Sequence, residues 1–458
     1  MFKKIITTFF LPYSIICSAQ PSPSITSWLQ NTTQMGTYYM SGNSTALSNN
    51  ILANCQKVEY STNFVYVTAT GVPSYPTGPF NDFNPSNAQN QNAIFQFPLS
   101  PSPNSGTLIP TNGGNIGVFI NGVAVFDYRD GVAWNPNTNS LCGGPGKPPC
   151  PGGPMASMDW NRDAIPAEMA GFDCSKGHPA MGNYHHHQNP SAFKIDLSIL
   201  SNICNLYDAD GLYTPDSNSH SPLIGFAYDG YPIYGAYGFK NSDGTGGIER
   251  IKSGYQLRTI TSRLNGPAVG TVVTAGGPGG ATQETLFLGY FREDYEHITH
   301  ASQDDYLDQH NGRFAVTPEY PNGTYAYYAT VDGNWNSSYP YLIGPTFYGN
   351  ASNRKVSSIS QSTTIYSSSV GEYEIKDIDI SIYPNPSSEL IAIQYNGLVE
   401  YDIEIELIDE VGRTVKSKRI GKGSTIAYFD LKSIYQGFYT VRLTTNSNQI
   451  IKKIQIVK

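Results

Sequence analysis

The chain has 458 residues, with 36 acidic against 28 basic side chains and a formal net charge of -8 at pH 7; its isoelectric point is near 5.5. That balance leaves no general basic surface to neutralise a phosphate backbone, and the sequence has no Walker or Rossmann glycine motif, so nucleic acid and nucleotides are not expected partners. The length suits two or three domains at roughly 150 residues each.

At the N-terminus Lys3 and Lys4 precede an apolar run from Ile5 to Ile16, and Ser18 and Ala19 follow, the layout of an export signal peptide over residues 1–19. The run is too short to span a bilayer and Pro12 interrupts it. Cys17 raises a lipoprotein alternative, which Ile16 disfavours, being large and branched where a lipobox has a small residue. No later stretch is long and apolar enough for a transmembrane helix. After signal removal Cys55, Cys142, Cys150, Cys174 and Cys204 remain, and an oxidising compartment makes disulfides the default. Cys142 and Cys150 flank GGPGKPP, and Cys174 and Cys204 bracket a histidine-rich segment. These are candidate pairings with Cys55 left over; sequence does not fix the connectivity.

From residue 20 to residue 349 the chain reads as a β-rich core of short strands broken by turn signals. The clearest hairpin is GVFI-NG-VAVF at 117–126, where Asn121-Gly122 accept the positive φ of a two-residue turn. A second, GFAY-DG-YPIYG, uses Asp229-Gly230 in the same way, and Pro232 limits it to an edge or a strand start.

All eight histidines fall between His178 and His310, most densely in DCSKGHPAMGNYHHHQNP, residues 173–190. In an extended strand His185 and His187 share one face while Tyr184 and His186 share the other. Two imidazoles on one face can chelate, and His178, set back by a Gly-Pro-rich turn, can return as a third ligand for copper, zinc or a similar transition metal. The competing reading is a polar strand whose histidines sit in solvent or bond main-chain carbonyls.

The run D-C-x-x-G-H-P-x-x-G-x-Y-H-x-H resembles the signature of the YHYH family of secreted bacterial proteins. The similarity extends to GVPSYPTGPF at 71–80, IGVFINGVAVF at 116–126, SPLIGFAYDGYPIYGAYG at 221–238 and LDQHNGRFAVTPEYPNGTYAYYATVDG at 307–333. The departure is His186, which stands where the family has its second tyrosine, on the face opposite the presumed chelating pair. The resemblance carries no active site; metal binding is read from the residues.

Beyond the cluster, alternation puts Asp308 and His310 on one face, able to complete the site or to orient an imidazole. Asn311 and Arg313 read as hairpin and loop polars. EHITH at 296–300 lacks the His-Glu-x-x-His order of a zinc protease, leaving His297 and His300 as surface residues. Asp208, Asp210 and Asp216 faintly resemble a calcium loop without its later ligands. Tyr325, Tyr327 and Tyr328 read either as β core or as a stacking platform for sugars.

Residues 350–377 are rich in serine and threonine and read as a linker. From Ile378 alternation returns in YDIEIELID, TIAYFDL and GFYTVRLTT, which fit a small immunoglobulin-like β-sandwich over 378–458. Tyr383-Pro384-Asn385-Pro386, Gly412-Arg413 in a turn, Gly437-Phe438-Tyr439 and the lysine-rich end IIKKIQIVK make this segment similar to the type A sorting domain of the Bacteroidetes type IX secretion system. The resemblance implies passage across the outer membrane and the type IX machinery and its sorting protease as partners. It also implies attachment of the cargo to surface polysaccharide, so the expected location is secreted or cell-surface. The expectation is therefore a mainly β, exported protein whose core binds copper or zinc through His178, His185, His187, His310 and Asp308. The alternative is a surface module that binds glycans or matrix without a catalytic metal.

Overall fold

A computed structural model describes residues 21–80, 87–144, 146–152, 158–190, 204, 211–213, 215–277, 280–351, 355–367, 380–395, 403–409, 412–420, 426–444 and 449–458. The expected signal peptide lies outside the described residues. Chain contacts divide the molecule into two units, Met1–Ser367 and Ser368–Lys458.

The first unit is mainly β, as expected. Its strands alternate as a half-buried sheet requires: in Ala93–Pro98 residues Ala93, Phe95 and Phe97 are buried, with partly exposed residues between them. This strand belongs to a five-stranded antiparallel sheet, in the order Lys355–Val356, Ala93–Pro98, Phe64–Ala69, Cys55–Tyr60, Thr364–Tyr366. Both outer strands come from the stretch expected to be a linker, so the chain is held to this unit as far as Tyr366.

An eight-stranded sheet packs on the first through Val58, Val67, Phe95 and Phe97 on one side and Val118, Phe119, Phe226 and Ile233 on the other. Its order is His178–Ala180, Asn183–His186, Ala124–Phe126, Asn115–Phe119, Leu223–Ala227, Pro232–Tyr234, Thr324–Tyr328, Gly312–Ala315. Two pairings are parallel, Asn183–His186 with Ala124–Phe126 and Pro232–Tyr234 with Thr324–Tyr328. Pro232 opens its strand, as its missing N–H demands.

Both expected hairpins form, with a shared turn that is not the expected two-residue one. Gly122 has a φ of 79° while Asn121 is not left-handed. The Gly122 N–H bonds Phe119 O at 2.8 Å and the Phe119 N–H bonds Val123 O at 2.9 Å. This is a three-residue loop with glycine at the bulge position, and Gly230, at φ 89°, repeats it after Tyr228 and Asp229.

Both candidate disulfides form, Cys142–Cys150 and Cys174–Cys204. Cys55 is a buried free thiol whose Sγ lies 3.4 Å from Ile120 O.

In the second unit, a three-stranded sheet (Ile380–Tyr383, Leu390–Tyr395, Ile426–Asp430) and a four-stranded one (Thr414–Ile420, Ile403–Ile408, Gly437–Thr444, Gln449–Ile456) close on one core. Ile391, Ile393 and Phe429 from the first sheet meet Ile405, Leu407, Val441 and Leu443 from the second, the arrangement of a β-sandwich.

Candidate metal centre

His178, His185 and His187 converge because of one tight hairpin. Met181 and Gly182 both adopt positive φ, 50° and 83°, as a two-residue hairpin turn requires. The resulting register sets His178 directly opposite His185 and Pro179 opposite Tyr184. His187 follows the strand end on the same face as His185, as alternation predicts. The three imidazoles are buried, with one ligand nitrogen from each lying within 4.8 Å of the others.

The opposite face anchors the strand. Tyr184 donates to Asp173 Oδ2 at 2.8 Å. His186 Nε2 lies 2.7 Å from the Tyr75 hydroxyl, and its ring packs edge-on against Phe119. Burial drives the His186 imidazole down to about 3. Asp173 also accepts from the N–H groups of Gly78, Ser175 and Gly177 at 2.9, 3.0 and 3.1 Å, which fixes the loop that delivers His178. Gly177 is the only residue that fits there, since a Cβ would stand 2.6 Å from the Tyr184 ring.

The protonation pattern follows from the partners. His185 Nδ1 is 2.9 Å from Asn183 O and His187 Nδ1 is 2.5 Å from Asp127 O. A carbonyl can only accept, so Nδ1 carries a proton in both rings and each Nε2 is turned towards the cluster. Those two Nε2 atoms are 3.1 Å apart. Burial, then the neighbouring His187 and His178, holds the His185 imidazole well below its ordinary range, so it is neutral near pH 7. Two imidazole nitrogens at this separation need a proton or a metal ion between them.

Glu168, absent from the sequence expectation, brings a carboxylate to two of the three imidazoles. It ends the short helix Ala164–Glu168, whose N-terminus is capped by Asp163 accepting from the Ile165 N–H at 2.9 Å. Tyr341 donates to the same cap at 2.7 Å, and Ile165 packs with Tyr128, Phe172, Tyr339 and Tyr341. Glu168 Oε2 lies 3.3 Å from Nε2 of both His178 and His187, and no donor among the described residues meets it in hydrogen-bond geometry. Burial works to raise this carboxyl, and contact with His178 and His187 outweighs it, holding the group below the usual carboxylate range. No sequence signal marks Glu168; it reaches the site only through the helix that carries it. Phe126 stacks on His185 at 3.7 Å and Phe172 lies edge-on to His178 at 4.9 Å, walling the imidazoles with apolar rings.

Asp308 and His310 are not in this group. Residues 308–311 form a turn with Asn311 at φ 62°, so strand alternation does not apply to them. Asp308 accepts from the Tyr325 hydroxyl at 2.9 Å and the His310 N–H at 2.8 Å, while His310 Nδ1 meets Thr346 Oγ1 at 2.7 Å. Arg313 is structural, bonding the carbonyls of Lys240, Asp304 and Phe239. His297 bonds Leu307 O at 3.2 Å and His300 stacks on Tyr306. Asp208 and Asp210 fall outside the described residues, and Asp216 is exposed, serving its own turn through Asn218.

The fold and this site define a two-unit β protein with a buried imidazole cluster in its first unit and a β-sandwich at the end of the chain. The model of the YHYH protein family matches residues 94–340, and the chain belongs to that family. A second match, the secretion system C-terminal sorting domain, covers residues 381–457. This type IX sorting domain implies engagement with the secretion machinery and a destination outside the cell or on its outer surface. No curated protein matches the chain. Among the described residues no helix is long and apolar enough to cross a membrane.

Proposed function

We propose that the core binds one transition-metal ion, copper or zinc, through His178, His185, His187 and Glu168, in a protein exported by the type IX system. One observation carries this reading. The separations His185 Nε2–His187 Nε2, His187 Nε2–Glu168 Oε2 and His178 Nε2–Glu168 Oε2 are 3.1, 3.3 and 3.3 Å. Donors about 2.0–2.1 Å from a tetrahedral zinc stand roughly 3.3 Å from one another, which these three separations match; the imidazole nitrogens as a group lie within 4.8 Å and would draw in around the ion. Carbonyls that fix the Nδ1 protons supply the orienting layer that ligand histidines need, and the donor set of imidazole and carboxylate suits zinc or copper(II). The Glu168 side chain is 24% exposed against 3% for His187, so an outside ligand would approach from the carboxylate side.

Elemental analysis of the purified exported protein tests the proposal. About one copper or zinc per chain is expected. It should be lost in a His185→Ala, His187→Ala double variant, weakened in Glu168→Gln and kept in His310→Ala. Metal absent from the wild type after exposure to both ions, or equal in wild type and double variant, refutes it.

We infer further that the sorting protease of the type IX machinery removes the terminal domain, with the remainder attached to surface polysaccharide. Deleting residues 378–458 should strand the protein in the periplasm; surface display of the truncated chain would overturn the export reading.

A further inference from the structure

A second concave site, a cleft of about 370 Å3, shares no residue with the histidine centre. It is walled by the start of the helix Pro23–Thr26, residues 99–103, the Gly230–Pro232 turn, the hairpin of Gly312–Ala315 and Thr324–Tyr328, and Tyr348. Its volume falls in the small-ligand range of about 300–1,000 Å3.

Its aromatic side chains are fixed. Tyr325 and Tyr348 stack at 3.6 Å with their planes 6° apart, and Tyr231 meets them edge-on at 5.5 and 5.3 Å. Asp229 beneath them accepts from the N–H groups of Tyr231 and Gly349 and from the Tyr327 hydroxyl, locking the backbone on both sides of the cluster. Phe314 lies directly across the hairpin from Tyr325 and is 60% exposed. Its ring rests on Gly323, at φ 82°, where a Cβ would stand 2.5 Å from Phe314 Cε1. A large aromatic face held in solvent over bare backbone fills no core; it is a plate open on one side.

The polar chemistry of the cleft is equally selective. Among the described residues no Lys, Arg, His, Asp or Glu lines it, and its side-chain polar atoms are all hydroxyls. Those of Tyr231, Tyr320 and Tyr348 have no partner among the described residues. The lack of charge disfavours phosphates, carboxylates and cationic peptides. Each hydroxyl both donates and accepts. A pyranose ring matches that surface, with apolar C–H faces for the plate and hydroxyls of the same dual character around its edge. A polyproline segment, the other usual occupant of aromatic grooves, offers carbonyl acceptors alone.

We propose that this cleft binds a neutral carbohydrate, with Phe314 as the stacking plate and the free tyrosine hydroxyls as polar contacts. The site is independent of the metal centre. It differs from the platform expected in sequence, because Tyr327 and Tyr328 are buried and only Tyr325 faces the cleft.

Affinity electrophoresis of the full exported chain through gels containing mixed-linkage β-glucan, galactomannan, arabinoxylan or dextran tests the idea. Polygalacturonate gels and a decaproline peptide, measured by calorimetry, serve as rivals. At least one neutral polysaccharide should retard the wild type. Phe314→Ala should weaken that binding roughly tenfold and Tyr320→Phe by about three- to tenfold. The His185→Ala, His187→Ala variant should bind as the wild type does. Phe314 is exposed, so its variant should keep the wild-type unfolding midpoint. The proposal falls if no neutral polysaccharide retards the chain, if both cleft variants bind unchanged, or if only polygalacturonate or decaproline binds.

Discussion

Replacing Asp173 with alanine should destabilise the first unit far more than a typical single substitution. The carboxylate accepts four hydrogen bonds, from Gly78 N at 2.9 Å, Ser175 N at 3.0 Å, Gly177 N at 3.1 Å and Tyr184 Oη at 2.8 Å. Orphaning one buried donor costs about 1–3 kcal/mol. Four donors in one cluster do not add independently, so a loss of roughly 4–6 kcal/mol is expected, against about 1 kcal/mol for an average substitution. Asp173→Asn separates the two halves of the cluster. Oδ1 serves Ser175 and Gly177 and survives as the amide oxygen, and Tyr184 can turn its hydroxyl to accept from the new NH2. Only the Gly78 N–H is left facing a donor, which puts this variant at about 1–3 kcal/mol. All four tryptophans, Trp28, Trp134, Trp160 and Trp335, lie in the first unit, so tryptophan fluorescence in a urea titration reports it alone. The reasoning is refuted if Asp173→Ala loses less than about 1 kcal/mol, or if the asparagine variant loses as much as the alanine one.

Asp229 should make stability fall with rising pH. Burial lifts its carboxyl from 3.8 to about 6, so the folded chain keeps a proton that the unfolded chain releases. Its contribution is complete below about pH 4 and is lost by pH 6, a change of up to about 3 kcal/mol, and Asp229→Asn should flatten that segment of a urea-midpoint profile. Burial also raises the Cys55 thiol far above its ordinary range, so it should resist iodoacetamide in the native protein and label fully in urea. Tyr184, Tyr234, Tyr290, Tyr325, Tyr327 and Tyr341 each donate to a carboxylate and have raised pKa values. They keep their protons when the unfolded chain would lose them, so stability should drop above pH 10. Absorbance at 295 nm should show these phenols ionising together with unfolding; a reversible titration near pH 10 with the fold intact would contradict this.

Sequence showed most clearly what depends on near neighbours. The shared face of His185 and His187 follows from strand alternation, and the return of His178 needs only the short turn between them. The same rule failed at Asp308 and His310, because it holds in strands and these residues occupy a turn. Both hairpins were visible from Asn121-Gly122 and Asp229-Gly230, but the turn type was not, since the bulge that absorbs the extra residue is set by pairing along the whole strand. Glu168 was invisible for a different reason. Its helix is five residues long and is placed by packing against Tyr339 and Tyr341, far along the chain.

The segment leading out of the first unit also governs where the chain can be cut. Lys355–Val356 and Thr364–Tyr366 pair with Ala93–Pro98 and Cys55–Tyr60, one on each side of the same sheet. Proteolysis before Lys355 would bare both edges and leave two rows of unpaired N–H and C=O groups as templates for aggregation. Cleavage beyond Tyr366 leaves both edges covered, so a maturation site in the residues just after it would release a core that carries its own protection against edge-to-edge association.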